Sequence, residues 1–212
     1  MKKIGIGFSI LSSDFAGLKS AVGKYENIVD FIQMDIMDGN FVPNLTFGVP
    51  VVNSLRKITK IPFEAHLMVV NPGVQWKWYR KTCKRILFHI EAVKNPRLLL
   101  KQMAGVEKGI AVNPDTPAKK VIPFLKDIQV VLLMSVSPGF AGQKFDERVI
   151  KKISFLRNYI DGKNIKCKIS VDGGINAKTA GKCVKAGVDF LIVSSYLSKG
   201  NINRKVKTLK NL

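Results

Sequence analysis

Gln33-Met-Asp-Ile-Met-Asp-Gly-Asn-Phe-Val-Pro-Asn44 continues an apolar run, Val29–Ile36, and places a carboxylate, Asp35, just before a turn signal at Asp38-Gly39. A charge at the end of a buried strand is costly unless it is paired, bound to metal or used in chemistry. Lys168-Ile-Ser-Val-Asp-Gly-Gly174 repeats the design, with an apolar strand delivering Asp172 to a glycine turn. Working outward, further apolar runs occur at Ile4–Ile10, Phe63–Val70, Arg85–Ile90, Gly109–Val112, Val130–Val136 and Phe190–Val193. With Val29–Ile36 and Lys168–Val171 these make eight candidate strands. Several are almost continuous in Val, Ile, Leu and Phe, the pattern of a parallel sheet covered on both faces.

The segments between the runs read as helices. Asp14–Lys24 follows a Ser/Asp start, and Val49–Lys60 begins near Pro50. Gly73–Thr82 carries Trp76, Trp78 and Tyr79, assigned here to the helix–barrel core rather than to an interface. Asn95–Met103 and Pro117–Lys126 have prolines at or near their starts, and Asp146–Ile160 is amphipathic. Ala177–Ala186 ends at Gly187, a natural C-cap, and Ile202–Leu212 is a weaker helix. Eight alternations over 212 residues predict a single-domain (β/α)8 TIM barrel spanning residues 1–212. In such a barrel the site lies at the C-terminal ends of the strands. The polar residues there are Ser9, Gln33, Asp35, His66, His89, Glu91, Asn113, Ser135, Asp172, Ser194 and Ser195.

Two strand-end aspartates suit proton chemistry. Asp35 and Asp172, from the second and seventh strands, can approach a carbon from opposite sides of a barrel mouth. His66 is a candidate metal ligand through its imidazole nitrogen. His89, in His89-Ile-Glu91, reads as structural or as support for a ligand at least as readily as catalytic. Met37, Met68 and Met134 read as an apolar, polarisable layer over the site or as core filling. The glycine turns Pro138-Gly-Phe-Ala-Gly-Gln143 and Asp172-Gly-Gly174 offer backbone amides to an anion.

Several motifs together resemble the ribulose-phosphate 3-epimerase family. They are Ser9-Ile-Leu-Ser12, Met34-Asp-Ile-Met-Asp-Gly39 with Phe41-Val-Pro-Asn44, His66-Leu-Met68 with Asn71-Pro72, and His89-Ile-Glu-Ala92. Asn113-Pro-Asp-Thr-Pro117, Leu133-Met-Ser-Val-Ser-Pro-Gly-Phe-Ala-Gly-Gln143 and Val171-Asp-Gly-Gly174 follow in the family's order. The resemblance implies a (β/α)8 barrel interconverting ribulose 5-phosphate and xylulose 5-phosphate through a cis-enediolate. It implies Asp35 and Asp172 as the acid/base pair and one divalent metal ion (Zn, Fe, Mn or Mg). The implied ligands are Asp35, His66 and Asp172, with Gln33 standing where the family usually has a histidine. The implied substrate-binding set is Ser9, Met37, His66, Met68, Met134, Gly139, Ala141, Gly142, Gly173, Gly174, Ser194 and Ser195. Two departures concern phosphate binding: Ala141-Gly142 replaces Gly-Gly, and Ser194-Ser195 replaces Gly-Ser. Ser194 matters if its position needs a positive φ. The alternatives are an allulose-6-phosphate 3-epimerase and a weakened sugar-phosphate-binding paralogue. The resemblance also implies a homo-oligomer, dimer or hexamer.

Composition limits the other classes. No apolar run approaches the roughly 20 residues of a membrane helix, and polar residues interrupt the stretch after Met1-Lys-Lys, which argues against a signal peptide. Cys83, Cys167 and Cys183 form no metal- or disulfide-type spacing and read as reduced cytoplasmic thiols. The net charge of +20 comes from scattered lysines without interleaved aromatics. It reads as a lysine-rich surface that steers small anions, with no nucleic-acid or membrane partner.

Overall fold

The computed structural model describes residues 3–212; Met1 and Lys2, with which the N-terminal reading begins, lie outside them. Eight parallel strands close into a barrel in chain order: β1 (Gly5–Ser9), β2 (Phe31–Met37), β3 (Phe63–Met68), β4 (Arg85–His89), β5 (Glu107–Val112), β6 (Val130–Met134), β7 (Lys168–Asp172) and β8 (Phe190–Val193). The α-helices among the described residues are α1 (Leu18–Gly23), α2 (Val49–Arg56), α3 (Pro72–Tyr79), α4 (Pro96–Gln102), α5 (Arg148–Gly162), α6 (Ala177–Ala186) and α7 (Ile202–Lys210). No described helix is long and apolar enough to cross a membrane.

Alternation along each strand sorts the side chains. In β2, Ile32, Met34 and Ile36 join the larger core between barrel and helices, while Phe31 packs inside the barrel with Leu87, Ala111, Val130 and Leu132. Gln33 and Asp35 share the inward face with Phe31, because strand side chains alternate with period two. The register sets Asp35 beside His66 across β2 and β3, and Met134 beside Asp172 across β6 and β7.

The two ends of the barrel interior differ. At the strands' N-terminal end, Arg85 Nη1 donates to Glu64 Oε2 at 2.6 Å and Arg85 Nε to Glu107 Oε2 at 3.0 Å. The guanidinium also lies over the rings of Phe31 and Phe190, 5.6 and 5.3 Å from their centroids. At the opposite end, Met37, Val42 and Met68 form a small apolar cluster with Leu11 and Phe41 against it.

Three local readings are corrected. The expected helix over Pro117–Lys126 is a 3-10 segment, Ala118–Phe124, because Pro123 inside it lacks an N–H and crowds the preceding turn. The expected helix from Asp14 begins only at Leu18: Asp14 caps a separate 3-10 turn, Phe15–Gly17, by accepting from the Ala16 amide at 3.0 Å. Trp76 and Tyr79 are core residues, but Trp78, two positions from Trp76 on the helix, is 52 % exposed.

Candidate active site

The two aspartates meet on one nitrogen. Gln33 Nε2 donates to Asp35 Oδ1 at 2.9 Å and to Asp172 Oδ2 at 2.7 Å. Asp35 Oδ2 also accepts from Ser9 Oγ at 2.7 Å, and His66 Nδ1 lies 2.9 Å from Asp35 Oδ1. Gln33, Asp35 and His66 are buried, whereas Asp172 is partly exposed. Sequence reasoning treats Gln33 as a substitute ligand; in the structure its amide nitrogen, not its oxygen, faces the carboxylates. Gln33 Oε1 is buried without a hydrogen-bond partner among the described residues.

Backbone contacts hold both strand ends. Thr46 Oγ1 donates to the Asp35 carbonyl at 2.6 Å and accepts from the Met37 amide at 3.0 Å. Ser135 Oγ donates to the Asp172 and Gly173 carbonyls at 2.8 and 2.5 Å. Asp38, read only as a turn residue, accepts from the amides of Asn40, Phe41 and Val70 at 2.9 Å each and fixes the loop after β2. Asn44 then donates to the Gly139 carbonyl at 2.7 Å, tying that loop to the one after β6.

Behind His66 stands a pair whose connection spacing alone does not reveal. His66 Nε2 lies 2.8 Å from His89 Nε2, and His89 Nδ1 is 3.4 Å from Glu91 Oε2. The two residues do not share a strand: β4 ends at His89, and Glu91 turns back from a 3-10 segment, Ile90–Ala92.

The electrostatics follow from burial and from these contacts. Burial, and then the charge of Asp35, pushes the Asp172 carboxyl up to about 7. Burial acts against charging His66, but the hydrogen bond and charge of Asp35 outweigh it and raise its pKa. Burial is also the main cause holding His89 down to about 4, so it is neutral at physiological pH.

All twelve expected substrate-binding residues line one cavity over this cluster, which contains about 530 Å³ of open space. Leu11, Val136 and Ile175 line it too, and carry no sequence signal that separates them from core. The turn after β7 requires glycine: Gly173 and Gly174 have φ of +112° and +58°, and a Cβ on Gly174 would lie 2.7 Å from the Phe145 amide nitrogen. Ser194 meets no such demand, since Asn27 and Asn164 alone among the described non-glycine residues have positive φ. Its hydroxyl instead bonds the Ser9 carbonyl at 3.0 Å and Ser12 Oγ at 2.7 Å, joining β8 to β1.

One ligand atom from each of Asp35, His66 and Asp172 lies within 4.8 Å of the others. Two carboxylates and an imidazole at that spacing form a possible site for a divalent cation. Gln33 Oε1, buried and without a partner among the described residues, is turned away from the carboxylates and would reach such a cation only after the amide turns over.

The family model described as the ribulose-phosphate 3 epimerase family matches residues 5–198. A ribulose-phosphate 3-epimerase of Methanocaldococcus jannaschii is 41% identical over 211 residues, covering 98% of this chain and 90% of that protein. One from Chlamydia muridarum is 40% identical, covering 99% and 96%. Among solved structures, a tryptophan synthase α-subunit from Pyrococcus furiosus aligns over 100% of both chains with a TM-score of 0.71 at 14% identity. Orotidine 5'-phosphate decarboxylase from Pyrococcus horikoshii aligns over 97% of both chains with a TM-score of 0.67 at 14% identity. The structural likenesses bear on the barrel alone, while the sequence matches run through the residues around Asp35, His66 and Asp172: the chain belongs to the ribulose-phosphate 3-epimerase family.

Proposed function

We propose that the protein interconverts ribulose 5-phosphate and xylulose 5-phosphate by moving protons at C3. The observation that carries this reading is the meeting of Asp35 and Asp172 at Gln33 Nε2 on the cavity floor. Inversion beside a carbonyl needs a base on one face of the carbon and an acid on the other. Asp172, which keeps its proton up to about pH 7, starts as the acid in one direction, with Asp35 as base. Asp35 takes the C3 proton, and Asp172 delivers its own to the opposite face. The roles exchange in the reverse direction. Met37, Met68 and Met134 line the cavity and limit water near the intermediate enediolate.

Asp35, His66 and Asp172 would hold a divalent metal ion, with the unpartnered oxygen of Gln33 available when the amide turns over. A cation bound there supplies positive charge beside the enediolate oxygens. Amide oxygen is a weaker ligand than imidazole for zinc or iron, so Gln33→His is expected to tighten Zn²⁺ binding by about 10-fold or more. Isothermal titration of chelator-treated protein reads this directly, and equal affinities in the two proteins would contradict it.

The phosphate is assigned to the turns after β6, β7 and β8, which carry Gly139, Ala141, Gly142, Gly173, Gly174, Ser194 and Ser195. Gly174→Ala combines a positive φ with a contact to backbone. A left-handed residue costs roughly 1–2 kcal/mol, so KM and the inhibition constant of inorganic phosphate are each expected to rise about tenfold. Unchanged values would move the phosphate elsewhere.

A coupled assay with ribulose 5-phosphate and allulose 6-phosphate, before and after chelation and with each metal restored, tests the proposed activity. Turnover of the pentulose phosphate supports it; turnover of neither substrate supports a binding paralogue. A cytoplasmic dimer or hexamer is the corresponding cellular reading, tested by light scattering of the purified protein.

A further inference from the structure

Epimerisation at C3 needs the sugar held at two places, at the phosphate turns and at the carboxylates. We infer that Ser194 is a positioning residue that fixes the spacing between them, by clamping the turn after β8 to the β1 segment that touches Asp35. The inference deepens the proposed function and rests on that reading, including the assignment of the phosphate to the turns after β6, β7 and β8.

Ser9, the last residue of β1, links the clamp to the carboxylate. Its Oγ donates to Asp35 Oδ2 at 2.7 Å and accepts from the Leu11 amide at 3.3 Å. One buried hydroxyl thus touches the proposed base and caps the 3-10 turn Ile10–Ser12. On the side facing β8, however, the sheet has already ended: the last pair between the two strands is Phe8 with Val193. Ser9 and Ser194 come directly after it, where the backbone ladder no longer fixes one strand against the other.

The Ser194 side chain supplies that joint. Its Oγ lies 3.0 Å from the Ser9 carbonyl and 2.7 Å from Ser12 Oγ. A hydroxyl has one hydrogen, and a carbonyl has none to give, so Ser194 donates to Ser9 and accepts from Ser12. It therefore grips both ends of the turn after β1. Two other strand ends are held in the same way, with Thr46 Oγ1 donating to the Asp35 carbonyl and Ser135 Oγ to the carbonyls of Asp172 and Gly173. With its hydrogen committed to Ser9, the Ser194 hydroxyl has none for a phosphate oxygen. Ser194 lines the cavity beside Ser195, and its side chain acts on the sugar only through Ser9 and Asp35. Loss of the clamp would leave the phosphate turn in being but let C3 shift against Asp35, and a misplacement of about 1 Å can cost 10²-fold in rate.

Ser194→Ala is expected to lower kcat about tenfold while the inhibition constant of inorganic phosphate keeps its parental value. Gly174→Ala raises that constant, so the two substitutions separate the phosphate subsite from its spacing. Ser194→Thr keeps the hydroxyl and should restore kcat. Ser9→Ala removes the far end of the link, so Ser9→Ala/Ser194→Ala should turn over no more slowly than Ser9→Ala alone. Hydrogen exchange reads the clamp without substrate, at the Leu11 amide on Ser9 Oγ and the Ser13 amide on the Ile10 carbonyl. Both amides should exchange about fivefold faster in Ser194→Ala, the effect of one net hydrogen bond. Parental kcat or parental exchange rates in Ser194→Ala overturn the inference, as does a phosphate inhibition constant that rises as kcat falls, or additive losses in the double variant. A parent protein that turns over no sugar phosphate overturns the epimerase reading instead, and the exchange rates then decide the clamp alone.

Discussion

Asp172→Asn is expected to lower kcat by about 10²- to 10⁴-fold, the usual contribution of one positioned acid or base. Asparagine keeps the shape and can still accept from Gln33 Nε2, so the lost property is the exchangeable proton. KM should change little, because the turn amides after β7 are backbone groups. The substitution also removes a candidate metal ligand, so the assay belongs at Zn²⁺ concentrations shown to saturate the variant. Solvent deuterium separates the two effects. With Asp35 intact, one of the two epimers should still exchange its C3 hydrogen, and Asp35→Asn should show the complementary preference. Full turnover in either variant would end the two-aspartate mechanism.

Stability should move the other way. The folded pKa of Asp172 is raised from its ordinary 3.8 to about 7, so between those values the folded protein holds a proton that the unfolded chain has released. Stability contributed by this group therefore falls as pH rises from about 4 to about 7. Metal-free Asp172→Asn escapes that loss and should melt higher than the parent at pH 8. A lower melting temperature there would show that Asp172 stabilises the fold.

Arg85→Met is expected to cost about 3–5 kcal/mol at pH 7, the range for stripping one partner from a buried ion pair. Glu64 is 1 % exposed and has Arg85 Nη1 at 2.6 Å. Burial already raises the Glu64 pKa, while Arg85 is the main influence lowering it. Without Arg85 the carboxyl shifts further upward, and the folded state holds a proton that the unfolded chain loses near its ordinary 4.5. The loss of stability therefore grows as pH rises and shrinks toward pH 5. Urea unfolding at the two pH values measures it. Glu64→Leu/Arg85→Met removes both charges and should recover most of the stability, since apolar replacement of a buried pair is often neutral. A single-variant cost near the 0.5 kcal/mol of a surface change, roughly, would mean the pair contributes little.

The barrel was legible because its signal is local and repeated. Eight apolar runs with intervening amphipathic segments leave few other arrangements, and the runs contain all eight strands to within a few residues. Misreadings arose where local chemistry competes. Pro117 looks like a helix start, but Pro123 prevents an α-helix six residues later. Trp78 shares a short helix with Trp76 and Tyr79, and only packing against β3 and β4 decides which rings are covered.

The candidate site divides in the same way. Sequence by itself determined that Asp35, His66 and Asp172 stand at strand ends and that glycines follow β6 and β7. Strand period and turn chemistry act over a few residues, so one segment is enough to read them. Tertiary structure alone decided that the Gln33 nitrogen lies between the two carboxylates, that Ser194 needs no positive φ, and that Glu91 turns back on His89. Gln33 and Asp172 are 139 residues apart. Their hydrogen bond exists because barrel closure brings β7 and β2 to one mouth, where a polar group excluded from water must find its partner across the chain.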